Sequence, residues 1–150
     1  MLAIINAAAE AYRGVIPDDC WHEPYMSAVE LDREIAAGVG FWGAEMDGRL
    51  VGVMGLQAVR DGELIRHAYV LPACQGSGVG RALLDHLKAR GRRRILVGTW
   101  GAADWAIRFY QRRGFRLVAP ERTAAVLKAY WTISSRQIET SVVLADPPLD

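Results

Sequence analysis

The stretch at residues 64–90 constrains this chain most, because it predicts a strand, a glycine-rich loop and an apolar helix in direct succession. The loop, residues 75–80, reads QGSGVG. Glycines at alternate positions leave backbone N–H groups free to face an anion, and the helix that follows places this anion at its positive end. The stretch therefore predicts a phosphate-binding loop. The alternative is a glycine-rich connection without a ligand, since short glycine patterns are weak signals.

Two common phosphate-binding signatures do not fit this loop. A Walker A loop requires Lys and then Ser or Thr after its last glycine, whereas Arg81 and Ala82 follow Gly80. A dinucleotide-binding loop requires a glycine at the position of Arg81 and an acidic residue about 20 positions further on, where this chain has an apolar run. The remaining pattern is Q-x-x-G-x-G between a strand and a helix.

Charge and hydropathy narrow the classes of partner. The 150 residues include 18 basic and 17 acidic ones, so the net charge of +1 argues against a nucleic-acid partner. No segment approaches the run of about 18 apolar residues that a membrane helix needs, and the first residues lack the basic region of a signal peptide. We expect a single domain that spans residues 1–150 and has no membrane partner.

Cysteine and histidine usage bears on metals and on the compartment. Cys20 and Cys74 have neither CxxC spacing nor neighbouring histidines. This pattern predicts no metal site and favours a reducing, cytoplasmic setting.

The periodicity of apolar residues predicts an α+β fold, in which helices cover both faces of one mixed, mostly antiparallel sheet. The segments expected to be helical are residues 1–12, 27–37 with a capping box at Ser27 and Glu30, 79–90, 104–113, and part of 120–131. The expected strands are residues 41–46, 50–56, 63–70, 95–99, 115–118 and 140–145. The Asp47-Gly48 pair predicts a type I′ turn in the first hairpin.

Two motifs occur in order along the chain, and together they resemble the GNAT superfamily of N-acetyltransferases. The first is residues 69–80, YVLPACQGSGVG, and the second is residues 106–115, AIRFYQRRGF, with a predicted strand between them. The resemblance covers nearly the whole chain. It implies a GNAT-like sheet, acetyl-CoA as co-substrate, no metal, and direct acetyl transfer to the primary amine of a small molecule or peptide. A catalytically silent acyl-CoA-binding or interaction domain is the alternative function.

The resemblance also assigns residues to the donor. The loop would hold the pyrophosphate through its backbone N–H groups, and the pantetheine arm would pair with the preceding strand. That strand must therefore part from the strand at residues 95–99, and the N–H of Val70 could polarise the thioester carbonyl. The donor-binding residues so implied are Ala68, Tyr69, Val70, Gln75, Gly76, Ser77, Gly78, Val79, Gly80 and Arg81.

Tyr110 and His67 are the catalytic candidates. Tyr110 lies in the second motif, and a phenol with a reference pKa of about 10 can donate a proton or a hydrogen bond to a leaving thiolate. The alternative is a packing role. His67 is a candidate base, because it shares a strand face with Tyr69 and has a reference pKa of about 6.5. An ordinary half-buried histidine is the alternative. Other candidate bases are Glu63, His22 and Glu23.

The acceptor side is marked by aromatic residues and by departures from the family pattern. The resemblance places the acceptor between two segments that carry Trp21, Tyr25, Tyr130 and Trp131, and these side chains could equally pack the helices against the sheet.

Some relatives have a glutamate at the position of Gly98 and an asparagine at that of Ala103. Family members usually open with a strand. Its absence here would leave a sheet edge that a second subunit could cover in a homodimer.

Overall fold

The sheet has six strands, and the structure, a computed structural model, describes residues 1–149. The strands are Gly40–Met46 (β1), Arg49–Val59 (β2), Gly62–Val70 (β3), Arg94–Trp100 (β4), Arg116–Leu117 (β5) and Ser141–Asp146 (β6). Their order across the sheet is β1-β2-β3-β4-β6-β5. The helices are Leu2–Ala9 (α1), Ala28–Ala36 (α2), Val79–Arg90 (α3), Asp104–Gln111 (α4), Pro120–Tyr130 (α5) and Ser135–Thr140 (α6).

All neighbouring strands but one pair run antiparallel. The turn between β1 and β2 has positive φ at Asp47 (51°) and Gly48 (75°), as a type I′ turn requires. β3 and β4 are parallel, and their register covers only Gly62 to Leu64 on β3 against Arg94 to Leu96 on β4. Beyond these positions the two strands part. The predicted fold class is confirmed, and so is the separation of the two central strands.

A β-bulge in β3 explains why the strands part. The register with β2 shifts between Val53 and Gly55, so that His67 and Ala68 oppose the single residue Met54. His67 adopts φ of 51°, in the left-handed region. Because a bulge bends its strand and increases the local twist, β3 turns away from β4 beyond this point.

Three apolar clusters fill the space between the helices and the two faces of the sheet. On one face, α3 and α4 bury side chains that include Leu84, Leu87 and Phe115. On the other face, α1 and α2 pack over β2 and β3, while α5 packs over β4 and β6. The opening between β3 and β4 therefore lies between two groups of helices.

Local sequence signals set most helix boundaries. Ser27 and Glu30 form the predicted capping box at the start of α2. The segment after β5 is a full helix, α5, rather than a partly helical stretch, and a similar capping box at Ser134 and Gln137 starts the unpredicted α6. Within residues 1–149 no strand precedes α1, and β1 forms an edge of the sheet. No helix in this part of the chain has the length and apolar character needed to cross a membrane.

Candidate active site

A cleft of about 940 Å³ occupies the opening between β3 and β4. One end is bounded by the loop before α3, and the other by residues of α1 and of the segment after α5. Tyr110 of α4 and Tyr12 both line it, although they belong to opposite layers. The cleft therefore passes through the sheet and connects its two faces.

The glycine loop presents unblocked backbone at one end of the cleft. Gly76 (φ 78°) and Gly78 (φ 87°) adopt left-handed conformations, and a Cβ built on either would meet no atom within 4 Å. Gly78 is the N-cap of α3 and provides no side-chain cap. The first N–H groups of α3 thus face a space that suits an anion.

The backbone of Val70 borders the same space. Leu71 N donates to Val51 O at 2.8 Å, so strand alternation directs the N–H and C=O of Val70 away from β2. The Val70 carbonyl accepts from Gln75 Nε2 at 3.2 Å. Gln75 therefore ties the loop to β3, and the Val70 N–H points toward the cleft.

Tyr110 borders the cleft on the α4 side and is almost fully buried, with 5% of its surface exposed. Its ring makes edge-to-face contacts with Phe109 and Phe115, at centroid distances of 5.1 Å and 5.5 Å. Burial, assisted by the neighbouring Tyr12, raises the pKa of Tyr110 well above its ordinary value. The phenol therefore stays protonated and can act as a hydrogen-bond donor.

His67 belongs to a three-residue polar cluster on the opposite layer. The bulge turns the consecutive side chains of Arg66 and His67 toward α2, where both contact Glu34. Arg66 Nη2 lies 3.2 Å from Glu34 Oε1, and His67 Nε2 bonds to Glu34 Oε2. Burial would raise the pKa of Glu34, but the bond to His67 and the charges of His67 and Arg66 outweigh it, and the pKa is lowered.

Comparisons with known proteins identify this arrangement. The family model of the GNAT acetyltransferase domain matches residues 6–130. The chain belongs to the GNAT acetyltransferase family. The peptidyl-lysine N-acetyltransferase YiaC of Escherichia coli (strain K12) is 27% identical over 105 residues, which are 65% of this chain and 69% of that protein.

Solved structures show the same GNAT fold. PaiA N-acetyltransferase of Thermoplasma acidophilum, solved in complex with coenzyme A, has a TM-score of 0.69 at 17% identity, over 96% of this chain and 88% of that one. A GNAT acetyltransferase of Elizabethkingia anophelis, solved with acetyl-CoA bound, has a TM-score of 0.61 at 22% identity, over 87% and 89%. The resemblance inferred from the two motifs is confirmed.

Most of the predicted donor-binding residues of this GNAT domain line the cleft. They are Ala68, Tyr69, Val70, Gln75, Gly76, Gly78, Gly80 and Arg81. The Ser77 hydroxyl turns back to donate to the Cys74 carbonyl, and the Val79 side chain lies in the core beneath Gly52. These two residues can therefore contribute backbone N–H groups but not side chains.

Two predicted acceptor contacts lie outside the cleft. Tyr130 donates its hydroxyl to Asp61 Oδ1 at 2.5 Å, beside the start of β3 and at the far end of that strand from Val70. Trp21 bonds to Glu23 and packs under Arg13, whose guanidinium carbon lies 4.7 Å from the ring centroid. Neither Tyr130 nor Trp21 lines the cleft, whereas Tyr25 does.

Three further candidate bases lie outside the cleft. Glu63 accepts from the backbone N–H of Arg92 and of Arg93 beyond α3, and Glu23 is held by Arg13. The His22 ring bonds to the carbonyl of Pro24 on the surface. Of the four candidates, the cleft contains His67.

Sequence reasoning did not single out Tyr12 and Glu34 as residues of the site. A tyrosine at the end of the first helix and a glutamate within the second carry no local signal of a site. Trp131 was grouped with Tyr130, yet its ring lies in the cleft over Gly98, where an added Cβ would come within 3.2 Å of Cζ2. Ala103, fully buried, is the N-cap of α4 and makes no side-chain cap.

Proposed function

We propose that this protein transfers the acetyl group of acetyl-CoA to a primary amine by direct attack within a ternary complex. The observation that carries this proposal is the opening between β3 and β4, which joins a glycine loop and a buried phenol on one side to a His–Glu pair on the other. Membership of the GNAT acetyltransferase family supports it.

The donor would be held by backbone groups. The N–H groups of residues 76–80 suit the pyrophosphate, because Gly76 and Gly78 leave space for close approach and the α3 dipole favours negative charge. The parted edge of β3 suits the peptide-like pantetheine arm. The N–H of Val70 would donate to the thioester carbonyl, where negative charge develops as the amine attacks.

Tyr110 would serve the leaving group. As the C–N bond forms, the C–S bond breaks and leaves a thiolate, which needs a proton or a strong hydrogen bond. A buried phenol with a raised pKa is reliably protonated. The thiolate would be desolvated in the same place, so its own affinity for the proton rises as well.

His67 would take the proton of the acceptor amine. A free alkylamine has a pKa of about 10.4 and is mostly charged near neutrality. In the neutral imidazole, Nε2–H of His67 would donate a hydrogen bond to the Glu34 carboxylate, which would leave the lone pair on Nδ1. Glu34 would thus act as a positioning residue that selects the tautomer able to act as base.

Tyr110→Phe tests this mechanism with little structural change. We expect kcat to fall by about 100-fold while the KM for acetyl-CoA stays close to that of the wild type, measured by thiol release. Tyr130→Phe is the matched control, because it removes a phenol that lies outside the cleft. An unchanged rate for Tyr110→Phe at every pH would show that Tyr110 is not the general acid.

One observation favours the alternative of a silent acyl-CoA-binding domain. The glutamate that some relatives carry has no counterpart at Gly98, and Trp131 fills that space. Thiol release should be measured with small amines, polyamines, amino acids and peptides. Binding of acetyl-CoA without turnover of any of them would favour the silent domain over the enzyme.

The proposal extends to the compartment, the assembly and the range of acceptors. Cys20 and Cys74 are both free thiols, which supports a reducing, cytoplasmic environment. The exposed edge of β1 offers a surface for a homodimer. The YiaC relative is named for peptidyl lysine, which keeps peptide amines beside small-molecule amines as candidate acceptors.

A further inference from the structure

Aromatic rings form much of the acceptor half of the cleft. The ring of Tyr12 lies 6.4 Å from that of Tyr69 and 5.2 Å from that of Trp105, measured between centroids. Tyr25 continues this surface, since its ring is 6.1 Å from that of Tyr69 and the two hydroxyls bond at 2.9 Å. The four rings form one connected surface, which we call the aromatic wall.

The β4 side of this space is apolar as well. Trp131 lies over Gly98, and its ring atoms would be 3.2 Å and 3.4 Å from an added Cβ. A carboxylate side chain at position 98 would have to displace this ring. The cleft therefore presents the indole of Trp131 beside position 98.

Carboxylates are also missing from the rest of the cleft lining. Among the described residues 1–149, those that line the cleft include Arg81, Arg112 and Arg113 but neither Asp nor Glu. The neighbouring Glu34 pairs with Arg66 and bonds to His67, so it is not free to bind a further ammonium group. An acceptor with several ammonium groups would find no unpaired carboxylate in the cleft to offset their desolvation.

We propose that the acceptor is a primary amine attached to an aromatic ring and carrying a single positive charge, that is, an arylalkylamine. This inference rests on the proposed acetyl transfer. The ring would pack against the aromatic wall and Trp131, where offset and edge-to-face contacts are favourable. The single ammonium would lose its proton to His67, and Glu34 would offset the positive charge that His67 then carries.

A comparison of acceptors with the purified protein and acetyl-CoA tests the substrate class. Tryptamine, tyramine and phenethylamine should show kcat/KM values at least about 10-fold above those of spermidine and of a lysine-containing tetrapeptide. Faster turnover of spermidine or of the peptide would overturn this inference and leave acetyl transfer intact. If acetyl-CoA bound but no amine were acetylated, the proposed function would fail, and the inference with it.

Two variants locate the preference in the cleft. Trp131→Ala should lower kcat/KM for tryptamine by about 10-fold and leave that for methylamine nearly unchanged. Equal losses for both amines would show that the ring does not contact the acceptor. The ratio between the two amines separates this role from a general loss of structure.

Gln137→Glu adds a carboxylate to the cleft lining and keeps the fold of α6. Gln137 completes the capping box with Ser134, and glutamate serves equally well at that position. The ratio of kcat/KM for spermidine to that for tryptamine should rise by about fivefold, because the new charge offsets a second ammonium. An unchanged ratio would refute the charge argument, even if Trp131→Ala failed to fold.

Discussion

Replacing Gly78 by alanine separates the role of the glycine loop in ligand binding from its role in the fold. Gly78 has φ of 87°, and no atom lies within 4 Å of the position that a Cβ would take. The fold therefore has room for the methyl group, and the cost to stability comes from the left-handed backbone. That cost is about 1–2 kcal/mol for a residue other than glycine.

The effect on ligand binding should be much larger than this strain. A methyl group at Gly78 would stand where the backbone N–H groups meet a phosphate. The loss of one or two hydrogen bonds to a charged group costs about 3 kcal/mol, which corresponds to about a 100-fold weaker affinity for coenzyme A. We expect Gly78→Val to abolish binding, because its side chain is bulkier and β-branched.

Gly38 offers a matched control at the opposite end of the sheet. Gly38 has φ of 100°, and no atom lies within 4 Å of the position that its Cβ would take. It lies just before the start of β1, where β1 pairs with Leu56 of β2, and Val70 lies near the other end of β2. Gly38→Ala should lower the thermal midpoint about as much as Gly78→Ala does, by about 2–8 °C. It should leave the affinity for coenzyme A unchanged.

Thermal unfolding and isothermal titration with coenzyme A would measure the two effects on the same preparations. Wild-type affinity in Gly78→Ala would refute the assignment of the loop as the phosphate site. Equal losses of affinity in the Gly38 and Gly78 variants would show that strain, and not the loop, weakens binding.

Three other variants test the polar groups of the fold and the cleft. His67→Ala should lower kcat by about 100-fold near neutrality. A rising pH should restore much of the rate, because the acceptor amine then deprotonates unaided. A pH–rate profile without this recovery would exclude His67 as the base. Glu34→Gln should lower the free energy of unfolding by about 1 kcal/mol near neutrality. Because the folded pKa of Glu34 lies below its ordinary value of 4.5, this contribution is present above that value and is lost as pH falls through the folded pKa, so urea titrations of the two proteins should converge in acid. Ser27→Ala should cost about 1 kcal/mol of stability through the capping box at α2, and an unchanged urea midpoint would contradict this.

The parts of the fold predicted from the sequence depend on local signals. The type I′ turn at Asp47 and Gly48 and the capping box at Ser27 involve residues no more than three positions apart. The glycine loop before α3 is likewise local, because backbone conformation at Gly76 and Gly78 depends mainly on the absence of a side chain. The second capping box, at Ser134, carried the same kind of signal and was missed within a polar stretch.

The parts that could not be predicted depend on contacts between distant segments. Tyr130 and Trp131 are adjacent and both aromatic, yet one bonds to Asp61 and the other enters the cleft. The direction in which each ring points is set by how α5 packs on β4 and β6. A sequence pattern that marks both residues as aromatic contains no information about this difference.

The sequence by itself determined the family, because two motifs occur in a fixed order and spacing. It also determined the donor-side loop, because the strand, the loop and the helix that follows depend on local backbone preferences. Tertiary structure decided the chemistry on the acceptor side. The bulge at His67 turns two consecutive side chains toward Glu34, which lies 33 positions earlier in the chain. Trp131 covers Gly98 from a helix end outside both motifs. Such contacts depend on strand curvature and helix packing, which only the assembled sheet defines.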